Sequence, residues 1–498
     1  MEAVKRWMSD WRYPTTLLCI YGFFSTVKPL EPFVIAYLTG PDKNLTTEQV
    51  NNQIFPVWTY SYLSVLVPVF LLTDWLRYKP VVVFQCVMLF ITSAMLRWVT
   101  GVPAMQAMQF FYGMVTASDV AYFSYIYSVV DLKQYRKATS YSRSVQLLGY
   151  TVGSVLGQLL VSFKLMSYNN MMVFTLVLTA IALVTSFFLP MPKQSMFFHR
   201  KHAATKGTGT DVDGTVDGTG HTSNSNISVE EMRDDDVEKR GETEKTNKKE
   251  PHEKGPEVQD FVETSGTDSC TKVLVQLWRD FRQCYSSKQL LYWSVWWAMA
   301  TCGYNQIINY IQVLWEHVQP SQDFSIYNGG VEAVSFLMSA ATAYGIGFTE
   351  VRWEHWGELA LGGFSGLGAA ALFLITFTGS IWVCYAGYVI FKCLYMLLIT
   401  IAMYQIAADL SMERYALVFG ANNFGALVLQ SIITAIVVDS RGLGLTIIPQ
   451  FIIYASYFSV IAVVFLLRGL FTIWTAKKHK KENSPDKNVS PGFEEHRF

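Results

Sequence analysis

Two carboxylates stand where a chain this apolar has little water to offer them. Asp119 lies near the middle of Phe110–Val130, which reads FFYGMVTASDVAYFSYIYSVV. Glu332 lies in a second apolar run, residues 323–348. A run of ~20 such residues is long enough to cross a bilayer as a helix. A charge at its centre costs roughly 2.5–3.5 kcal/mol even on lenient scales, so such groups mark function by default. At ~100° per residue, Gln109, Tyr112, Thr116 and Asp119 share one helix face. Asn328, Glu332, Ser335 and Ser339 form a matching polar stripe, and Gly329 and Gly330 allow close approach. Two acids facing one cavity suit a cationic substrate or a proton-coupled cycle. A polar stripe satisfied by a neighbouring helix is the plainer alternative. Lys392, on a face with Tyr388 and Tyr395, either neutralises one of these acids or binds an anionic group.

Other polar residues within apolar runs add to the set. Lys28-Pro29-Leu30-Glu31-Pro32 interrupts the first run, and two prolines break a helix and free backbone groups. A break inside a bilayer is tolerated where protein or water covers it. Lys28 and Glu31 either pair with each other or divide, with Glu31 at a cavity mouth and the lysine reaching outward. Trp58, within Phe55–Leu63, belongs either to an interfacial aromatic belt or to an inward surface for a cationic ring. Asn305 and Asn309 share a face of a later run and serve either as helix glue or as ligand contacts.

The elements that must position these residues follow from composition. The chain has 498 residues, 51% hydrophobic and 16% charged, with a formal net charge of zero. Soluble domains carry nearer ~25% charged residues, so this is a polytopic membrane protein embedded in a lipid bilayer. Six apolar segments (14–38, 52–73, 80–100, 104–130, 141–164, 170–190) precede a long polar stretch, and six (287–316, 323–348, 356–378, 380–406, 415–438, 446–472) follow it. The expected organisation is an N-terminal six-helix half (1–190), a largely disordered linker (191–286), a C-terminal six-helix half (287–475) and a disordered tail (476–498). Val273, Leu277, Trp278, Phe281 and Tyr285 have the spacing of an amphipathic helix lying on the membrane.

Basic residues cluster before segment one, between segments two and three, between four and five, and after twelve. The positive-inside rule then places both termini in the cytosol. Asn44-Leu45-Thr46 falls outside as a usable glycosylation acceptor, whereas the sequons at Asn226 and Asn488 fall inside. This asymmetry fits the plasma membrane or another secretory-pathway membrane. The seven cysteines form no CxxC pair and suggest neither a disulfide framework nor a zinc site. No phosphate loop, HExxH or credible nucleophile marks an enzyme, and no basic aromatic face suggests nucleic acid. No cofactor or metal is expected, and protein partners are not legible.

Two six-helix halves joined by a polar linker form an all-α membrane architecture of the major facilitator type, whose halves rock about a midplane site. Asp74-Trp75-Leu76-Arg77-Tyr78-Lys79 resembles the gating motif between helices two and three of that superfamily, without its usual glycines. Ordinary positive-inside charge explains the same residues.

Several longer motifs carry a closer resemblance: Gly40–Thr46, Phe55–Leu63, Phe110–Gly113, Ser124–Ser128, Ser195–His199 and Glu413–Gly420. On these the chain resembles the reduced folate and thiamine carrier family (solute carrier family 19) over nearly its whole length outside the linker and tail. Ser294–Ala298, Ile326–Val334 and Tyr395–Ala402 are similar to its thiamine branch. Folate carriers have an arginine where this chain has Asp119 and a lysine where it has Gln430. The resemblance implies a plasma-membrane thiamine carrier working by alternating access. Its site would be lined by Trp58, Gln109, Tyr112, Asp119, Tyr150, Asn309 and Glu332. Glu31, Lys28, Asp74, Arg77 and Lys392 would serve charge balance or gating. One departure stands out: Gln109 replaces a glutamate of the thiamine branch. A neutral amide there shifts expectation toward a less cationic vitamin, such as a pyridoxine-like molecule, as the alternative substrate. A folate or anion exchanger and a non-transporting sensor are the remaining rivals.

Overall fold

The computed structural model describes residues 11–130, 132–192, 201–202, 264–265, 270–321, 326–346, 353–407, 410 and 412–482. The remaining linker, both its neighbouring motif Ser195–His199 and the sequon at Asn226, and the sequon at Asn488 lie outside them. One unit holds both helical halves. The other, within the linker, contributes a two-residue antiparallel pair, β1 (Lys201–His202) with β2 (Thr264–Ser265).

The first half opens with α1 (Arg12–Thr26), which stops where the prolines predict a break. Val27 turns extended, a short 3-10 turn spans Glu31–Phe33, and α2 (Val34–Thr39) resumes the segment. Next come the single turn α3 (Thr47–Gln49), a π-helical turn Val50–Ile54 and α4 (Phe55–Trp75). They are followed by α5 (Lys79–Trp98), α6 (Val102–Ala117), α7 (Asp119–Val129), α8 (Leu132–Ser162) and α9 (Tyr168–Phe188). The second half comprises α10 (Cys270–Cys284), α11 (Lys288–Val318), α12 (Asn328–Ile346), α13 (Trp353–Phe377), α14 (Ile381–Ala407), α15 (Met412–Ile433) and α16 (Ile447–Glu482). A second π turn, Thr434–Val438, closes α15. The amphipathic spacing ahead of segment seven is realised as α10. The last helix runs on to Glu482, past Ala476 where a polar tail was expected to begin.

One expectation is corrected. Phe110–Val130 is not a continuous helix: α6 ends at Ala117, Ser118 intervenes, and α7 begins at Asp119. The Ser118 hydroxyl donates back to the Met114 carbonyl at 2.8 Å, and its N–H is shared between Met114 and Val115. Such back-bonding bends a helix without needing proline or glycine.

Nine described helices are long and apolar enough to cross a membrane. The three expected segments outside that set are α6 with α7, α11 and α12. These are the segments that carry Asp119, the Asn305–Asn309 amides, and Glu332. Polar residues lower their hydropathy for the same reason that they make them candidates.

Within the first half, α1 packs on α8 and α9, and α4 packs on α6. Glycines at 149, 153 and 157 present a bare stripe of α8 to the broken segment. A Cβ at Gly153 would meet the Lys28 backbone nitrogen at 2.8 Å. Small residues of this kind let membrane helices approach closely. The second half has an aromatic core including Trp293, Trp296, Trp315, Tyr388 and Phe391. The halves meet where α8 packs on α12 and α4 packs on α15.

Candidate functional site

The break in the first segment delivers Lys28 to the interior. Its ammonium donates to the Tyr112 hydroxyl at 3.2 Å, lies 5.1 Å from that ring's centroid and stands 4.0 Å from Glu31. Of the two readings of this pair, mutual contact holds and outward reach of the lysine does not. Its side chain is only 18% exposed, against 48% for Glu31. Tyr150 and Asp119 also lie within electrostatic range of Lys28.

Asp119 is held from a helix that sequence reasoning passed over. Gln85 of α5 donates to its carboxylate and accepts from the Tyr21 hydroxyl at 2.8 Å. Gln85 is buried, whereas Asp119 remains exposed. A lone glutamine in an apolar run was the available signal for Gln85. Thr116 accepts from the Trp58 indole at 3.1 Å, so Trp58 turns inward and is not part of an interfacial belt. Tyr112, Thr116 and Asp119 thus point into the first half, despite the interruption at Ser118.

The second half presents a closed polar knot. Lys392 donates to Glu332 at 2.7 Å and to the Ser335 hydroxyl at 2.9 Å, and lies 3.7 Å from the Phe336 ring centroid. Two of the ammonium's three donors are thus hydrogen-bonded, and its charge rests against the ring face. The other Glu332 oxygen accepts from Tyr388 at 2.7 Å. Of the alternatives for Lys392, neutralising Glu332 is the one realised. Glu332 therefore does not face the cavity as a free charge in this conformation. Tyr395 parts company with Tyr388 and Lys392: it bonds Thr301 and stacks on Tyr304 with centroids 3.8 Å apart.

One contact joins the two groups: Tyr150 of α8 stacks on Phe336 of α12, with centroids 5.4 Å apart and planes 16° from parallel. Lys28, Tyr112, Tyr150, Phe336, Lys392 and Glu332 thus form a charged and aromatic sequence across the halves. Gln109 and Asn309 are half-buried, and no described residue hydrogen-bonds either amide. Asn305, expected beside Asn309, instead donates to Gln430. Unpartnered half-buried amides offer donors and acceptors to a ligand.

Gating candidates fall elsewhere. Asp74 is buried and accepts from the Tyr78 hydroxyl at 2.7 Å, and both Arg77 and Tyr78 adopt positive φ (57° and 65°). This turn lies at the end of α4 nearer the start of α1, where Trp11 joins the same apolar cluster as Leu76 and Tyr78. Hydrogen bonds between the halves gather at the opposite end. Asn52 donates to the Val438 carbonyl at 2.6 Å and to that of Leu445 at 3.1 Å. Tyr60 donates to Asp439 at 2.9 Å, Gln312 to the Glu31 carbonyl at 3.0 Å, and Asn328 to the Pro32 carbonyl at 3.1 Å. Asn52 and Val438 lie on the two π turns, and such turns are frequent at functional sites. Asn44 is exposed in the loop after α2, at the same end.

The pattern of the reduced folate carrier family matches residues 9–453. Thiamine transporter 2 of Macaca fascicularis is 49% identical over 489 residues, covering 97% of this chain and 95% of the relative. Thiamine transporter 1 of Homo sapiens is 51% identical over 476 residues, covering 95% of this chain and 92% of the relative. These relatives are transporters rather than enzymes. The crystal structure of nucleoside transporter NupG superposes with a TM-score of 0.54 at 14% identity, covering 92% of this chain and 98% of that one. The likeness is one of fold: the helices of this multi-pass membrane protein are arranged as in that transporter. With the pattern matched along nearly all of its length, the chain belongs to the reduced folate carrier family.

Proposed function

We propose that this protein carries thiamine across the plasma membrane by alternating access, with both termini in the cytosol. The observation that carries the reading is the exposed Asp119 carboxylate, beside Tyr112 and Trp58 on one wall of the first half. A thiazolium cation is stabilised by a carboxylate, and its rings stack on phenol and indole faces. Gln109 and Asn309 supply hydrogen bonds to an aminopyrimidine. Identity of about half to thiamine transporters over nearly the whole chain supports the same substrate. With that orientation, the Asn52, Tyr60 and Asn328 bonds seal the outer end, so the conformation faces inward.

A second reading rests on Gln109. An amide in place of an acid lowers the negative charge of the site and favours a neutral pyridine-type vitamin. Competition separates the two. Unlabelled pyridoxine should displace labelled thiamine weakly from the wild type, and more weakly still from Gln109→Glu. Stronger displacement by pyridoxine than by unlabelled thiamine would transfer the assignment to the second reading.

A further inference from the structure

We infer that Lys28 is a tethered stand-in for the substrate's positive charge, occupying the acid cluster when the carrier is empty and yielding it when a cation binds. The inference rests on the thiamine reading above. The Lys28 ammonium meets the two kinds of partner a thiazolium would seek. It lies 5.1 Å from the Tyr112 ring centroid, and 4.0 Å from the Glu31 carboxylate. Asp119 and Tyr150 complete its electrostatic surroundings.

Its mounting suits a mobile charge. Lys28 follows the extended residue Val27 between α1 and the Glu31–Phe33 turn, so no helix fixes its backbone. α8 approaches its backbone so closely that a Cβ at Gly153 would meet the Lys28 nitrogen at 2.8 Å, and the flexible four-carbon stem carries the charge from there. The contrast with Lys392 is direct. Lys392 donates at 2.7 Å to a carboxylate and at 2.9 Å to a hydroxyl, lies 3.7 Å from a ring centroid, and its side chain is 4% exposed. Lys28 has one neutral hydrogen bond, at 3.2 Å, a ring centroid 5.1 Å away and a long ion pair.

Two consequences follow. A tethered amine competes with a free cation at an effective concentration set by its stem, which weakens substrate binding. It also neutralises acids that would otherwise cross the closed state unpaired, which is costly in a medium of low dielectric. The empty carrier returns because Lys28 takes the place of the cation it released.

The test uses the purified full-length protein with thiamine as probe, in the wild type, Lys28→Met and Lys28→Gln. The second variant keeps a donor for Tyr112 should the first fail to fold. Equilibrium binding is read beside net uptake and thiamine–thiamine counterflow in proteoliposomes. Loss of the tether should tighten thiamine binding by at least about fivefold, the low end of usual coupling between sites. Net uptake, which needs the empty carrier to return, should fall while counterflow persists. Unchanged or weaker binding in a folded variant would overturn the tether and leave thiamine transport standing. No saturable thiamine binding by the wild type would overturn both.

Discussion

The Glu332 carboxylate and the Lys392 ammonium lie 2.7 Å apart across α12 and α14, so the acid of the second half is already neutralised. Removing one member leaves the other buried and unpaired, at a cost of about 3–5 kcal/mol. Glu332→Gln should therefore lower both uptake and thermal stability. Glu332→Gln combined with Lys392→Met should recover most of the stability without recovering uptake. Thermal unfolding of the purified variants, read beside uptake, separates the structural part from the transport part. Stability unchanged in the single variant would contradict the pairing.

Trp58 donates to Thr116 and turns its ring inward. If that ring receives the substrate cation, Trp58→Ala should weaken thiamine binding by about 1–2 kcal/mol, whereas Trp58→Phe should keep much of the affinity. Equilibrium binding measures both. Equal losses in the two would assign Trp58 to its hydrogen bond rather than to a stacking surface.

Asn52 holds two carbonyls of the other half, and Tyr60 holds Asp439. Asn52→Ala and Tyr60→Phe remove bonds that join the two halves at this end, each worth about 0.5–1.5 kcal/mol net. Both should raise the outward-open population. Asn309→Cys, one turn deeper on α11 than the Gln312 bond, should then react faster with a membrane-impermeant maleimide added outside. Labelling rates equal to those of the parent would remove the seal from the mechanism.

Asn44 sits exposed in the loop between α2 and α3, with Thr46 capping α3. Asn44→Gln should abolish the glycan-dependent shift in electrophoretic mobility without changing uptake per molecule at the surface. A shift that persists would place the glycan elsewhere and remove this support for an external loop.

Much of the helix plan was legible because bilayer-length apolar runs and proline breaks are local signals. Lys28–Pro32 announced its own interruption, and the spacing of Val273–Tyr285 announced α10. The break at Ser118 was not legible, since it arises from one hydroxyl bonding back to Met114 with no proline or glycine to mark it. Partners across helices were the larger gap. Sequence spacing placed Glu332 and Lys392 on faces but did not say that those faces meet. It also named Asp119 and not Gln85, because the residue that holds a carboxylate can come from any helix packed beside it. The bonds between the halves were missed for the same reason: Asn52 and Val438 stand 386 positions apart and meet only through the packing of the two halves.

The central claim is that this chain moves thiamine. Radiolabelled thiamine uptake into proteoliposomes containing only the purified full-length protein tests it most directly. The account predicts saturable uptake, inhibited by unlabelled thiamine and greatly reduced by Asp119→Asn. Uptake no greater than in protein-free liposomes, by a protein shown to be folded, would contradict it.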